Sequence, residues 1–144
     1  MFYEITVKSK KEKPNGKTKT VTEQFLCDNC VFFAEAEAAG LQGEYDGDND
    51  VTAVRRSDIR EIVNPQKAEE LEAGAAFYRA VLVETFTDDK GREKVMRYPV
   101  LVIAHNVGEA TVLTQEYMKQ GFDNMRLEAV AKSRLKGVLV YDHE

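Results

Sequence analysis

The chain has 144 residues, 43% hydrophobic and 31% charged, with a formal net charge of −5. That length buries a core without a disulfide or metal staple, and the acidic balance argues against indiscriminate polyanion binding by the whole surface. No apolar stretch approaches the ~18 residues of a membrane span, and Met1-Phe2-Tyr3-Glu4-Ile5 opens no secretory signal, so a cytoplasmic protein with no membrane attachment is expected.

Tyr3, Ile5 and Val7 alternate with Glu4, Thr6 and Lys8, the period-two pattern of a strand with one buried face. Pro14-Asn15-Gly16 supplies a tight turn, and the returning strand runs from about Thr18 to Asp28. Ala34-Glu35-Ala36-Glu37-Ala38-Ala39 predicts a short helix, with Gly40 as a left-handed C-terminal cap. After a polar loop, residues 51–56 and 59–63 read as one or two strands. Asn64-Pro65 then starts a capped short helix that ends at Gly74.

The second half repeats the pattern with more apolar content. Residues 77–83 have apolar side chains on both faces, as a strand interior to a sheet requires. Residues 95–104 form its partner, although Pro99 lacks a donor and suggests an edge or a bulge, which conflicts with an interior place. Asn106 with Glu109 has the capping-box spacing, Ala110, Leu113 and Tyr117 form the buried helix face, and Gly121 closes the helix.

The halves echo one another residue by residue. At a spacing of 75, Phe2-Tyr3, Asn15-Gly16-Lys17 and Lys19 fall on Phe77-Tyr78, Lys90-Gly91-Arg92 and Lys94. Glu35-Ala36 falls on Glu109-Ala110 at 74, and residues 51–59 fall on 127–135 at 76. Two copies of one unit explain this: repeat one over 2–63, a connector over 64–76 and repeat two over 77–141, within a single domain spanning 1–144. The expected fold is α+β, two tandem ββαβ units with room for a fourth strand, related by a pseudo-two-fold. They form one antiparallel sheet backed by two helices or two small sheets packed together.

Several motifs compete for function. Cys27-Asp28-Asn29-Cys30, between a strand end and a helix start, has the setting of a redox pair. With His105 and His143 it has the residue types of a zinc site. Two small hydrophobes at a strand end, one of them buried, explain it better. Asp46, Asp48 and Asp50 open like a calcium loop, but the sixth and twelfth places hold Val51 and Ser57 rather than glycine and glutamate. No metal and no cofactor is expected.

Lys8, Lys10, Lys11, Lys13, Lys17 and Lys19 crowd the first hairpin with Glu12 alone among them, and Arg55 and Arg56 could extend the set. Such a ribbon can track phosphates, while an edge strand protected by lysines accounts for the same residues without a ligand. Arg55, Arg56, Lys132 and Arg134 could line a cationic pocket for a small phosphorylated ligand where the copies meet. Nothing resembles a nucleophile elbow or a phosphate loop, so no enzyme is expected.

The aromatic pairs Phe2-Tyr3 and Phe77-Tyr78, the Thr22-Glu23 step, the Ala34-Glu35-Ala36-Glu37-Ala38 helix start and Ser57-Asp58-Ile59-Arg60 together carry a resemblance. Over nearly its full length the chain resembles a family of small proteins of unknown function from Bacteroides-group gut bacteria and their phages. The resemblance implies a bacterial, phage or mobile-element source and brings no catalytic signature. The reading is a small non-enzymatic binding protein with a protein partner. Nucleic-acid binding through the first hairpin and ligand capture are the alternatives, and a homo-oligomer is compatible with all three.

Overall fold

The computed structural model describes residues 2–41, 49–122 and 124–141. It divides into two compact units, Met1–Asp58 with Arg134–Glu144, and Ile59–Ser133. The units do not follow the halves of the sequence, because each half gives one strand to the unit built by the other.

The first unit starts with β1 (Tyr3–Glu12) and β2 (Thr18–Asp28), an antiparallel hairpin in register from Tyr3↔Cys27 to Glu12↔Thr18. Its turn is closed by Lys13 N–H donating to Lys17 O at 2.7 Å, and Gly16 takes the positive φ of 82° that such a turn needs. Helix α1 (Phe33–Leu41) leads to β3 (Asn49–Arg56), which pairs antiparallel with β1. Tyr3, Ile5 and Val7 point to one side, where they form a buried cluster with Cys27, Cys30, Ala36 and Ala39. Gly40 is not a left-handed cap. It lies inside α1, buried, where a Cβ would come within 2.9 Å of Val51 Cγ2 and 3.0 Å of Ile5 Cδ1. The glycine is there for close helix–sheet approach.

The second unit holds β4 (Glu61–Ile62), a 3-10 helix (Pro65–Ala73), β5 (Ala76–Thr87), β6 (Glu93–Ala104), α2 (Val107–Met118) and β7 (Arg126–Lys132). The last strand, β8 (Leu135–Val140), belongs to the first unit. The strand orders are β3-β1-β2-β8 and β4-β6-β5-β7. The protein is therefore mixed α+β with two four-stranded sheets, and neither sheet is purely antiparallel. β8 lies parallel to β2 and β4 parallel to β6.

The conflict over Pro99 has a simple resolution. β6 is interior, yet Pro99 turns its backbone outward, away from β5, since its carbonyl accepts from Arg60 N–H at 2.8 Å. The N and C=O of one strand residue face the same side, so the missing donor falls just before β4 begins to pair and costs no bond to β5. Beyond β4, Val63 N–H donates to Leu101 O. Asn64 then acts as a substitute strand residue: its Nδ2 donates to Ile103 O and its Oδ1 accepts from Ile103 N–H, both at 2.8 Å. The buried asparagine is thus spent on the ladder and makes no side-chain cap for the 3-10 helix. Gly74, at φ 97°, ends that helix as expected.

The registers of the two sheets match. Tyr3↔Arg56 corresponds to Tyr78↔Lys132, and the bulge between Thr6 and Val7 recurs between Val81 and Leu82. Ser57 N–H donates to Phe2 O, and Ser133 N–H to Phe77 O. Leu26↔Val138 corresponds to Leu101↔Ile62.

Candidate functional site

The helix starts are where the matched frames part. In α2, Asn106 O accepts the first helical bond from Ala110 N–H, and Asn106 Oδ1 caps Glu109 N–H at 2.8 Å. In α1 the corresponding carbonyl, accepting from Ala36 N–H, belongs to Phe32, which has no side-chain oxygen. An N-cap position filled by a residue without an acceptor forgoes about 1 kcal/mol. The ring in its place faces solvent: Val31, Phe32 and Phe33 are 61%, 66% and 51% exposed.

This apolar triplet is held firmly. Glu35 Oε1 accepts from Val31 N–H at 2.8 Å and Phe32 N–H at 3.2 Å, and Tyr3 OH donates to Val31 O at 2.8 Å. The Phe33 ring packs edge-on against Tyr3, with centroids 5.1 Å apart. A disulfide between Cys27 and Cys30 closes the preceding turn, in which Asn29 takes a φ of 62°. Three exposed apolar side chains on hydrogen-bonded backbone make a patch whose shape is set in advance. The sequence reading passed over them because they fall at the step from a strand into α1, outside any periodic pattern. Setting Phe32 over Asn106, at the spacing of 74 that aligns the helices, would have singled them out.

The lysines of the first hairpin are shared between its faces. Lys8 lies opposite Thr22 and Lys10 opposite Thr20, on the face that carries Glu4 and Thr6, whereas Lys19 shares the other face. Lys13 and Lys17 flank the turn, and Lys11 pairs with Lys19 in the strand register. Among the described residues, Lys8, Lys10, Lys13, Lys17 and Lys19 make no ion pair. Beside them a hollow is lined by Ser9, Thr20, Asn49 and Asp50, and Asn49 Oδ1 is buried with no hydrogen-bond partner. Asp50, opposite Lys8 on β3, dilutes the positive charge.

The remaining candidates are placed within each unit as follows. Arg55 lies opposite Glu4, its guanidinium 2.8 Å from that carboxylate, and Arg56 lies opposite Tyr3 on the other face, so the two do not line one wall. Lys132 ends β7 in the second unit, and Arg134 precedes β8 in the first; both are exposed. Both cysteines are buried, not one, and they are bonded to each other rather than free. His105 sits 3.3 Å from Glu109. His143, Asp46 and Asp48 lie outside the described residues, among which no group of three His, Cys, Asp or Glu side chains is placed to hold a metal.

One aromatic cluster was not anticipated. Phe122 stacks on Tyr117 at 5.0 Å and touches Tyr98 at 5.3 Å, while Arg60 lies over the Tyr98 ring. Tyr98 OH donates to Glu61 at 3.2 Å. Burial first, then the charge of Glu61 and the bond to it, hold the phenol above the ordinary value of 10.0, with Arg60 acting in the opposite direction.

With the fold an α+β frame of two four-stranded sheets, the chain belongs to the family described as Domain of unknown function (DUF4494), which matches residues 1–141. No match was found among curated proteins or among solved structures. No described helix is long and apolar enough to cross a membrane.

Proposed function

We propose that the chain is a small non-enzymatic binding protein whose partner is another protein, gripped through Val31, Phe32 and Phe33. The observation that supports this most is Phe32 itself, a two-thirds exposed ring at a helix N-cap where the matching position of α2 holds a capping asparagine. A local rule broken at the expense of stability, on a fixed and exposed surface, is the mark of a residue kept for contact. Exposed aromatics on pre-ordered backbone bring large contact area at small entropic cost, as interface hot spots do. The cytoplasm of a bacterium, or of a cell carrying its phage, is the proposed setting. Tandem duplication of one ββαβ unit is the proposed origin, and the matched registers and bulges support it.

The test compares wild type with Phe32→Asp in affinity capture from the native host. A partner bound by wild type and lost with the variant, while the melting temperature holds or rises, supports the reading. Capture unaffected by the substitution sinks it.

A second reading, nucleic-acid binding, is favoured by the unpaired lysines that share a face with Thr20 and Thr22. It requires oligonucleotide affinity at low salt that falls as salt rises, and loss of about two units of salt slope in the double variant Lys8→Gln, Lys10→Gln.

A further inference from the structure

The connections between the units limit how either sheet can be completed. In each sheet the fourth strand lies beside the second and is supplied by the other half of the chain: β8 follows β7, and β4 follows β3. Neither strand could begin, at its observed first residue, in the sheet of its own half. Lys132, at the end of β7, pairs with Tyr78 on β5, and the fourth position of that sheet lies three strand spacings from β7, about 14 Å. Lys132 to Leu135 spans about 11 Å at full stretch. In the first unit Ser57 is still bonded to Phe2 O. From there to Glu61 the chain reaches about 14 Å, against a diagonal of about 17 Å across and back along the sheet.

The exchanged strands also bring core side chains. Leu139 packs on the cluster of Tyr3, Ile5, Cys27 and Ala36, and Val63 packs on the cluster of Tyr78, Ala80, Val102 and Ala110. Leu139 lies opposite Cys27, and Tyr141 N–H donates to Asp28 O at the end of the same edge.

We infer that the outer edge of β2 is a strand-acceptor site for a parallel segment with the pattern of residues 135–140, filled by this chain's own β8 and, when that strand is weakened, by β8 of a second copy. The site recognises its occupant by ladder bonds along residues 24–28 and by an apolar side chain at the place of Leu139. Exchange of an identical element between copies is the ordinary route by which such an arrangement becomes intermolecular.

A labelled peptide of residues 134–141 is titrated with full-length wild type and with full-length Leu139→Ser and Leu139→Ala. Wild type must release its own strand first, so the variants are expected to bind at least about tenfold more tightly. The amides of Leu26 and Asp28, which face β8, then regain exchange protection, and a scrambled peptide has no effect. Equal affinity for wild type and variants overturns the inference. So does binding to neither variant, and so does protection gained on β6 in place of β2.

Discussion

The two units build one frame and close it differently. In the second, the end of the fourth strand is buried, and Asn64 pairs both backbone groups of Ile103 at 2.8 Å. In the first, the corresponding end is exposed, and Asn29 Nδ2 reaches Tyr141 O at 3.1 Å. The helix starts differ in the same spirit: a polar cap in α2, and an exposed phenylalanine in α1. The second unit satisfies these two positions, although its Tyr117 hydroxyl is buried with no hydrogen-bond partner. The first leaves its helix start without a side-chain cap where Val31, Phe32 and Phe33 are exposed, the observation behind the proposed contact surface.

The sharpest way to break this comparison is at the two asparagines. Asn64→Leu leaves a buried N–H and C=O of Ile103 unpaired and should cost about 2–4 kcal/mol in urea unfolding. Asn29→Gly keeps the positive φ, removes an exposed bond and should cost no more than about 1 kcal/mol. Equal losses would show that burial is not what separates the two closures.

Next in size is the helix–sheet approach. Gly40→Ala forces a carbon against Val51 and Ile5; overpacking of about 1–3 kcal/mol, less up to about 1 kcal/mol of gained helix propensity, leaves a net loss. A rise in melting temperature would contradict the tight fit.

Exchanging the cap chemistry sharpens the contrast between helices. Asn106→Phe should lose about 1 kcal/mol, while Phe32→Asn should gain about 0.5–1 kcal/mol by capping Glu35 N–H. Loss of stability in Phe32→Asn would mean that the ring is structural, removing the main support for its role in contact.

The smallest effect is expected at Tyr98. Its folded pKa is raised, so the associated stability is intact below pH 10.0 and is lost as pH rises through the higher folded value, because the unfolded phenol ionises first. Tyr98→Phe should flatten that alkaline decline relative to wild type. An unchanged slope would show that the pair with Glu61 contributes nothing there.

Much of this architecture could be read directly from residue order. Alternation in Tyr3, Ile5 and Val7, the Asn15-Gly16 turn and the Asn106–Glu109 cap are local signals, each decided within a few residues by sterics and hydrogen bonding. Gly40 was visible as special but misassigned, since a helix-end glycine and a close-packing glycine look alike until the opposing Val51 is in place. The lysine ribbon was legible as charge, but its division between two faces needed the strand register.

The destination of the fourth strands was hidden. Residues 61–62 and 135–140 announce strands without naming their neighbours, because a parallel pairing leaves no turn signal in the chain. Only the folded chain shows which edge each strand reaches. The weight of Phe32 was legible only by laying one half over the other: its sequence neighbours say nothing of a missing cap, and the equivalent asparagine is 74 residues away. Composition and periodicity determined what the elements are. Long-range pairing, where backbone groups must find distant partners, decided how they join and which apolar side chains stay exposed.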